Sequence, residues 1–316
     1  MPVDVVLMVD AVLVESLVKR FGSVNAVDGV SFNVRRGEIF GILGPNGAGK
    51  TTTLEIIEGL QSPTQGSVTV LGMDIRRQGV QIKARIGVQL QSAAYFDYLS
   101  LNEILALLGS FYPKSVRPSE LLEQVDLADQ AKMRLNQLSG GQKQRFTIAA
   151  SLVNFPELVI LDEPTTGLDP LARRNIWGLI RQIHQRDVTI VMTTHYMEEA
   201  QNLCQRLAIM DQGRLVTVDT PPNLISQLGA AYSVKVVLAN PLTKSQIAAF
   251  DGGVEVVQGH VQDKNTYLLR LKGDSKALGP VLEQIGKNGS GLEHMEITPV
   301  TLEDVFLELT GKELLD

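Results

Sequence analysis

The chain has 316 residues, is 44% hydrophobic and 20% charged, and carries a formal net charge of -6 with a pI near 5.4. This is ordinary globular composition, long enough for two domains with cores of their own. The acidic balance argues against a broad electropositive face, so no nucleic-acid partner is expected; the one cysteine, Cys204, rules out an internal disulfide and a thiolate metal cluster, as suits a reducing cytoplasm.

The first residues, "MPVDVVLMVDAVLVESLV", are broken by Asp4, Asp10 and Glu15 and lack a basic lead, so they do not read as a signal segment. No run of about 20 uncharged apolar residues occurs, and nothing is expected to span a bilayer. Residues 11–18 read as the first strand, after a short extension. Strand-like runs follow at "EIFGIL" (38–43), "LVILDEP" (158–164), "VTIVMTTH" (188–195) and "RLAIMDQGRLV" (206–216). Between them lie the helical stretches "KTTTLEIIEGL", "LNEILALLGSFY" and "PLARRNIWGLIRQIHQR", and "SLNE" (100–103) predicts a capping box. Apolar strands alternating with helices predict an α/β fold, a parallel sheet covered on both faces.

"TPPNLISQLGAA" (220–231) reads as a joint, so residues 1–219 are expected as one domain and 232–316 as a second. The second region runs strand "YSVKVVL", helix "TKSQIAAF", strands "VEVVQGHV" and "TYLLRLKG", helix "SKALGPVLEQIGKNG" and strand "LEHMEI". That β-α-β-β-α-β order predicts a small α+β domain of ferredoxin-like type, closed by the helix "TLEDVFLEL".

"GPNGAGKTT" (44–52) fits G-x-x-x-x-G-K-[ST] and stands between an apolar strand and a helix, the setting that this phosphate-binding motif requires. Gly44, Gly47 and Gly49 permit a curl that turns backbone amides toward phosphate oxygens; Pro45, Asn46, Ala48 and Thr52 complete the expected nucleotide-binding run. Lys50 supplies charge to the β and γ phosphates, and Thr51 a hydroxyl to Mg²⁺. "LVILDEP" ends in Asp162, placed to hold Mg²⁺, and Glu163, placed to orient or deprotonate a water attacking the γ phosphate, so hydrolysis is expected rather than binding alone. His195 closes the next strand at the same sheet edge and is expected at the γ phosphate; His184, His260 and His294 have no comparable setting. A second anion cradle is expected at "LSGGQKQR" (138–145), where Ser139 caps a helix start and the adjacent Gly140 and Gly141 leave bare backbone amides, with Gln142 also expected at the nucleotide.

The ordered set "GPNGAGKTT", "LSGGQ", "LVILDEP", "TTGLDP" and "TTH" resembles the nucleotide-binding subunit of an ATP-binding cassette (ABC) transporter over roughly residues 11–218, and "LSGGQ" is that family's own signature. The ending "ITPVTLEDVFLELTG" is similar to that of ATPases serving type-2 ABC exporters, the drug, antibiotic, lipid and polysaccharide branch. The resemblance implies that Phe21 of "KRFG" stacks on adenine, where the family has a tyrosine. It implies that a glutamine of "RIGVQLQSAAYF" reaches the metal and the attacking water and senses the membrane partner; Gln89 and Gln91 are both candidates, and register favours Gln91. Asp169 of "TTGLDP" matches the aspartate that bridges two nucleotide sites. The cofactors implied are ATP and Mg²⁺. The assembly implied is a homodimer in which the signature of one subunit covers the ATP of the other, docked on an integral-membrane permease at the cytoplasmic face of the cell membrane. The alternative, a soluble ABC ATPase acting on ribosomes or DNA, usually brings tandem cassettes, coiled-coil insertions or cysteine clusters, which are not visible here.

Overall fold

The computed structural model describes residues 10–89, 95–248, 254–257, 265–271 and 291–311, with a few positions between 279 and 286. The chain divides into two compact units, Met1–Thr220 and Pro221–Asp316.

In the first unit, β1 (Val12–Phe21) and β2 (Val24–Val34) form an antiparallel hairpin that closes at Gly22, a positive-φ residue. The buried strand β3 (Ile39–Leu43) feeds α1 (Lys50–Ile57). Then come β4 (Gln65–Val70), β5 (Met73–Asp74), α2 (Gly79–Lys83) and β6 (Ile86–Gln89), followed by three helices, α3 (Leu101–Gly109), α4 (Pro118–Gln124) and α5 (Gly140–Ser151). Ser100 and Glu103 make the expected capping box at the start of α3. The remainder alternates: β7 (Leu158–Asp162), α6 (Pro170–His184), β8 (Thr189–Thr194), α7 (Met197–Leu203), β9 (Arg206–Asp211) and β10 (Arg214–Asp219).

These strands make two sheets. The larger has the order β10-β9-β3-β8-β7-β6 and is parallel apart from β10 at its edge. Every residue of β3, β7 and β8 is buried, which is why these runs lack polar alternation. The smaller sheet, β2-β1-β4-β5, is antiparallel and has no counterpart in the sequence-based expectation. Its strands carry polar residues on an open face: β1 exposes Glu15 and Ser16 while burying Val12, Val14 and Leu17. Residues of α1, among them Leu54, Ile56 and Ile57, share one apolar core with Val12, Val14, Val68 and Val70 of the small sheet and Ile42, Ile160 and Val191 of the large one. The helix that begins at the phosphate loop is thus held from two sides.

The second unit opens with α8 (Pro221–Gln227), so the stretch read as a joint is helical, with Pro221 and Leu224 buried. It continues with β11 (Tyr232–Leu238), α9 (Lys244–Ala248), β12 (Val254–Val257), β13 (Thr266–Leu271), β14 (Leu292–Pro299) and α10 (Leu302–Thr310). The sheet order β12-β13-β11-β14 is antiparallel throughout, with the first and third strands in the middle, as the ferredoxin-like pattern requires. Val234, Val236, Leu238, Leu269 and Leu271 form its core. Arg270, buried on β13, bonds Glu308 and the Asp304 carbonyl and so ties α10 to the sheet. Among the described residues no helix is long and apolar enough to cross a membrane.

Candidate functional site

The site stands at the carboxyl edge of the parallel sheet, where adjacent strands end at matched heights. Leu43 pairs with Thr194, and Asp162 with Thr193. The loop after β3, the Asp-Glu pair at the end of β7 and His195 after β8 therefore converge, because parallel strands deliver their ends to one side.

The phosphate loop is built around close backbone approach. Gly49 has φ +94°, and a side chain there would begin 2.4 Å from the Ala26 carbonyl oxygen; one at Gly44 would begin 2.3 Å from the Met210 carbonyl oxygen. Only glycine fits both positions. Lys50, 4% exposed, donates from Nζ to the Gly44 carbonyl at 2.8 Å and the Pro45 carbonyl at 3.2 Å, which folds its ammonium back over the loop. Burial lowers its pKa, with Glu163 and Asp162 opposing that shift. Phe21, 47% exposed at the tip of the β1–β2 hairpin, lines a groove of about 380 Å³ together with Asn46, Gly47, Ala48, Gly49, Thr51, Thr52 and Glu163. An exposed aromatic beside a phosphate cradle can stack on a planar base.

Asp162 is buried at the end of β7, with the Thr51 hydroxyl 3.2 Å from Oδ2 and the Thr193 hydroxyl donating to Oδ1. Thr193 also accepts from the Glu163 backbone N–H at 2.9 Å. It thereby holds the turn at Glu163, whose φ of 47° lies in the left-handed region. The Glu163 side chain, 8% exposed, faces Lys50 Nζ at 3.4 Å and His195 Nδ1 at 3.3 Å, and accepts from the Thr166 hydroxyl at 3.1 Å. Burial pushes its carboxyl up, but Lys50, His195 and Thr166 together hold it below the usual carboxylate range, so it is ionised at neutral pH. Lys50, Thr51, Asp162, Glu163 and His195, expected from scattered motifs, thus form one cluster. Gln91 lies outside the described residues; Gln89, the other candidate, is buried at the end of β6 beside Leu161.

The signature segment builds a separate groove. Ser139 caps α5 through the Gln142 N–H, and Gln142 returns its side chain to the Ser139 N–H at 2.9 Å, a closed capping box. Helix geometry leaves the Gly140 and Gly141 amides without an acceptor one turn back, and both residues line a groove of about 530 Å³ together with Gly167, Leu168 and Asp169. Asp169 caps its own helix, α6, accepting from the Leu171 and Ala172 N–H groups. Among the described residues, none lines both this groove and the phosphate-loop groove.

Sequence reading missed Thr193, although "TTH" carries it, because nothing in the order of residues shows that it pairs with Asp162 across two strands. It also missed Glu58 at the end of α1, buried 3% exposed with its pKa raised to about 7, first by burial and then by Asp162 and Glu55.

The ABC transporter family model matches residues 27–166. The linearmycin resistance ATP-binding protein LnrL of Bacillus subtilis (strain 168) is 34% identical over 96% of this chain and 99% of its own length. A Nod factor export ATP-binding protein I of Rhizobium meliloti is 38% identical over 97% of this chain and 90% of its own. Among solved structures, a dimeric ATP-binding cassette in a post-hydrolysis state with ADP and Pi superposes with a TM-score of 0.61 at 28% identity, covering 66% of this chain and 98% of that one. With relatives more than 30% identical over nearly their whole lengths, and with a phosphate loop, a strand-end Asp-Glu pair and a signature helix in one fold, the chain belongs to the ABC transporter family as an ATP-binding, ATP-hydrolysing subunit.

Proposed function

We propose that this chain powers export through a separate membrane permease, working as a homodimer with two ATP sites, each shared between the subunits. The observation that carries the chemical part is Glu163, an ionised carboxylate held between Lys50, Thr166 and His195 at the mouth of the phosphate loop. Glu163 orients and deprotonates the attacking water, His195 contacts the γ phosphate, and Phe21 stacks on adenine. In the arrangement described, Lys50 faces Glu163. Binding of the β and γ phosphates draws the Lys50 ammonium onto them and releases Glu163 to the water. Thr51 and Asp162 are hard oxygen donors beside the loop, the kind that Mg²⁺ takes together with phosphate oxygens and waters. When bound there, Mg²⁺ neutralises charge on the phosphates.

The dimer rests on the two grooves. A signature groove that, among the described residues, shares none with the chain's own phosphate groove has helix-start amides to offer to a second copy's nucleotide. Both named relatives are, by name, ATP-binding proteins of resistance or export, and this supports export; the chain then works beside its permease at the cytoplasmic face of the membrane. Gln91 is assigned to coupling with the permease, and the second unit to assembly or regulation.

Glu163→Gln tests the chemistry. It keeps the phosphate cradle and removes the base, so ATP binding persists while turnover falls by about 10²–10⁴. Turnover within a few-fold of the unaltered protein, in a phosphate-release assay, refutes the role.

A further inference from the structure

Glu199 is fully buried on the first turn of α7 and lines neither groove. Its Oε1 accepts from Thr165 Oγ1 and from Trp177 Nε1, each at 2.9 Å. Thr165 stands two residues after Glu163, in the loop that leads to Asp169. Trp177 belongs to α6, the helix that Asp169 caps. On the other side, α7 continues directly from the segment that carries His195. The Thr194 hydroxyl accepts from the Tyr196 N–H at 2.9 Å, the Tyr196 ring lies 4.1 Å from the His195 ring, and the Arg173 guanidinium of α6 sits 3.8 Å over Tyr196.

A carboxylate in such a place is costly for packing alone. Burial is the largest influence on it and pushes its pKa up, while Thr194, Thr165, Trp177 and Arg173 pull it down, with burial prevailing. A hydrocarbon of similar volume fills the same space without that desolvation. What the carboxylate adds is an acceptor that binds two elements at once.

We propose that Glu199 is a positioning residue for ATP hydrolysis: it joins the Glu163–Asp169 loop, α6 and the His195 segment, so that the base and the histidine are presented to the γ phosphate as one unit. This rests on the roles proposed above for Glu163 and His195.

The test uses the full chain and compares kcat with ATP affinity. Glu199→Leu lowers kcat by about 10- to 100-fold, the loss expected when reacting groups shift by about an ångström. ATP affinity stays within about twofold, because the phosphate loop is anchored on β3 and α1. Glu199→Gln keeps an acceptor oxygen and restores most of kcat. In a Glu163→Gln background, Glu199→Leu costs less than about threefold more, since residues acting as a unit are not additive. Equal loss of kcat and affinity, no recovery with glutamine, or an undiminished effect in the Glu163→Gln background overturns the proposal. If Glu199→Leu does not fold, Thr165→Val and Trp177→Phe, each removing one donor, are judged on the same kcat-against-affinity split and the same double-variant comparison. Failure of the underlying reading is separate: it shows as near-normal turnover of Glu163→Gln alone.

Discussion

At the scale of single residues, burial decides which acids and bases are available. Lys50, Asp162 and Glu163 were legible as chemistry because their neighbours in sequence form motifs, whereas Glu58 and Glu199 look like ordinary helix carboxylates until their burial is known. Glu58 has its Oε2 without a hydrogen-bond partner among the described residues and a pKa of about 7. The sign of its effect on stability follows. Below the unfolded value near 4.5, Glu58 is protonated in both states and costs nothing; as pH rises toward 7 the unfolded chain ionises freely while the folded one resists, so stability is lost across that window. Glu58→Gln removes this dependence, which amounts to at most about 3.5 kcal/mol. Its melting temperature should exceed that of the unaltered protein by more at pH 8 than at pH 5; a constant difference in thermal denaturation counts against a charged, buried Glu58.

At the scale of elements, the local signals that worked were those with a short-range mechanism. The capping boxes at Ser100 and Ser139 each close within three residues, and each formed as its spacing demanded. "RLAIMDQGRLV" instead turns back on itself as β9 and β10: Gln212 and Gly213 both have positive φ and Asp211 pairs with Arg214, the two-residue hairpin geometry. The polar run Asp211-Gln212-Gly213-Arg214 marks that turn, and the apolar residues on either side of it had made the stretch read as one run. The phosphate loop depends equally on backbone conformation. Gly49→Ala places a Cβ 2.4 Å from the Ala26 carbonyl at φ +94°, and strain of about 1–3 kcal/mol must be relieved by moving the loop. ATP affinity is expected to fall about tenfold or more in a fluorescent-nucleotide titration, with the helical circular dichroism largely kept; unchanged affinity contradicts the requirement for close approach.

At the scale of the whole molecule, the question is whose ATP the signature touches. Lys50→Ala spoils a subunit's own phosphate loop, and Ser139→Arg blocks its signature groove. If the signature acts across a dimer, a mixed pair holds one site made from two intact halves, and mixing the two inactive variants restores part of the ATPase activity. If it acts within its own chain, every site carries a lesion. No recovery, with heterodimers shown by differential tags and one-site turnover established in a control pair, removes the trans arrangement.

The sequence by itself determined the parallel-sheet cassette, the ferredoxin-like strand order and which phosphate-loop, strand-end and histidine residues would be candidates for one site. In each case the physical signal is local: apolar runs buried on both faces, glycines at fixed offsets, a carboxylate at a strand end. Only the tertiary structure decided the antiparallel sheet that clamps α1, the pairing of Thr193 with Asp162, and the tie from Glu199 to Thr165 and Trp177. The Thr193 and Glu199 contacts join residues more than 20 positions apart, the small sheet reaches α1 only through packing, and burial, which turns a helix carboxylate into a clamp, exists only after the strands and helices have packed.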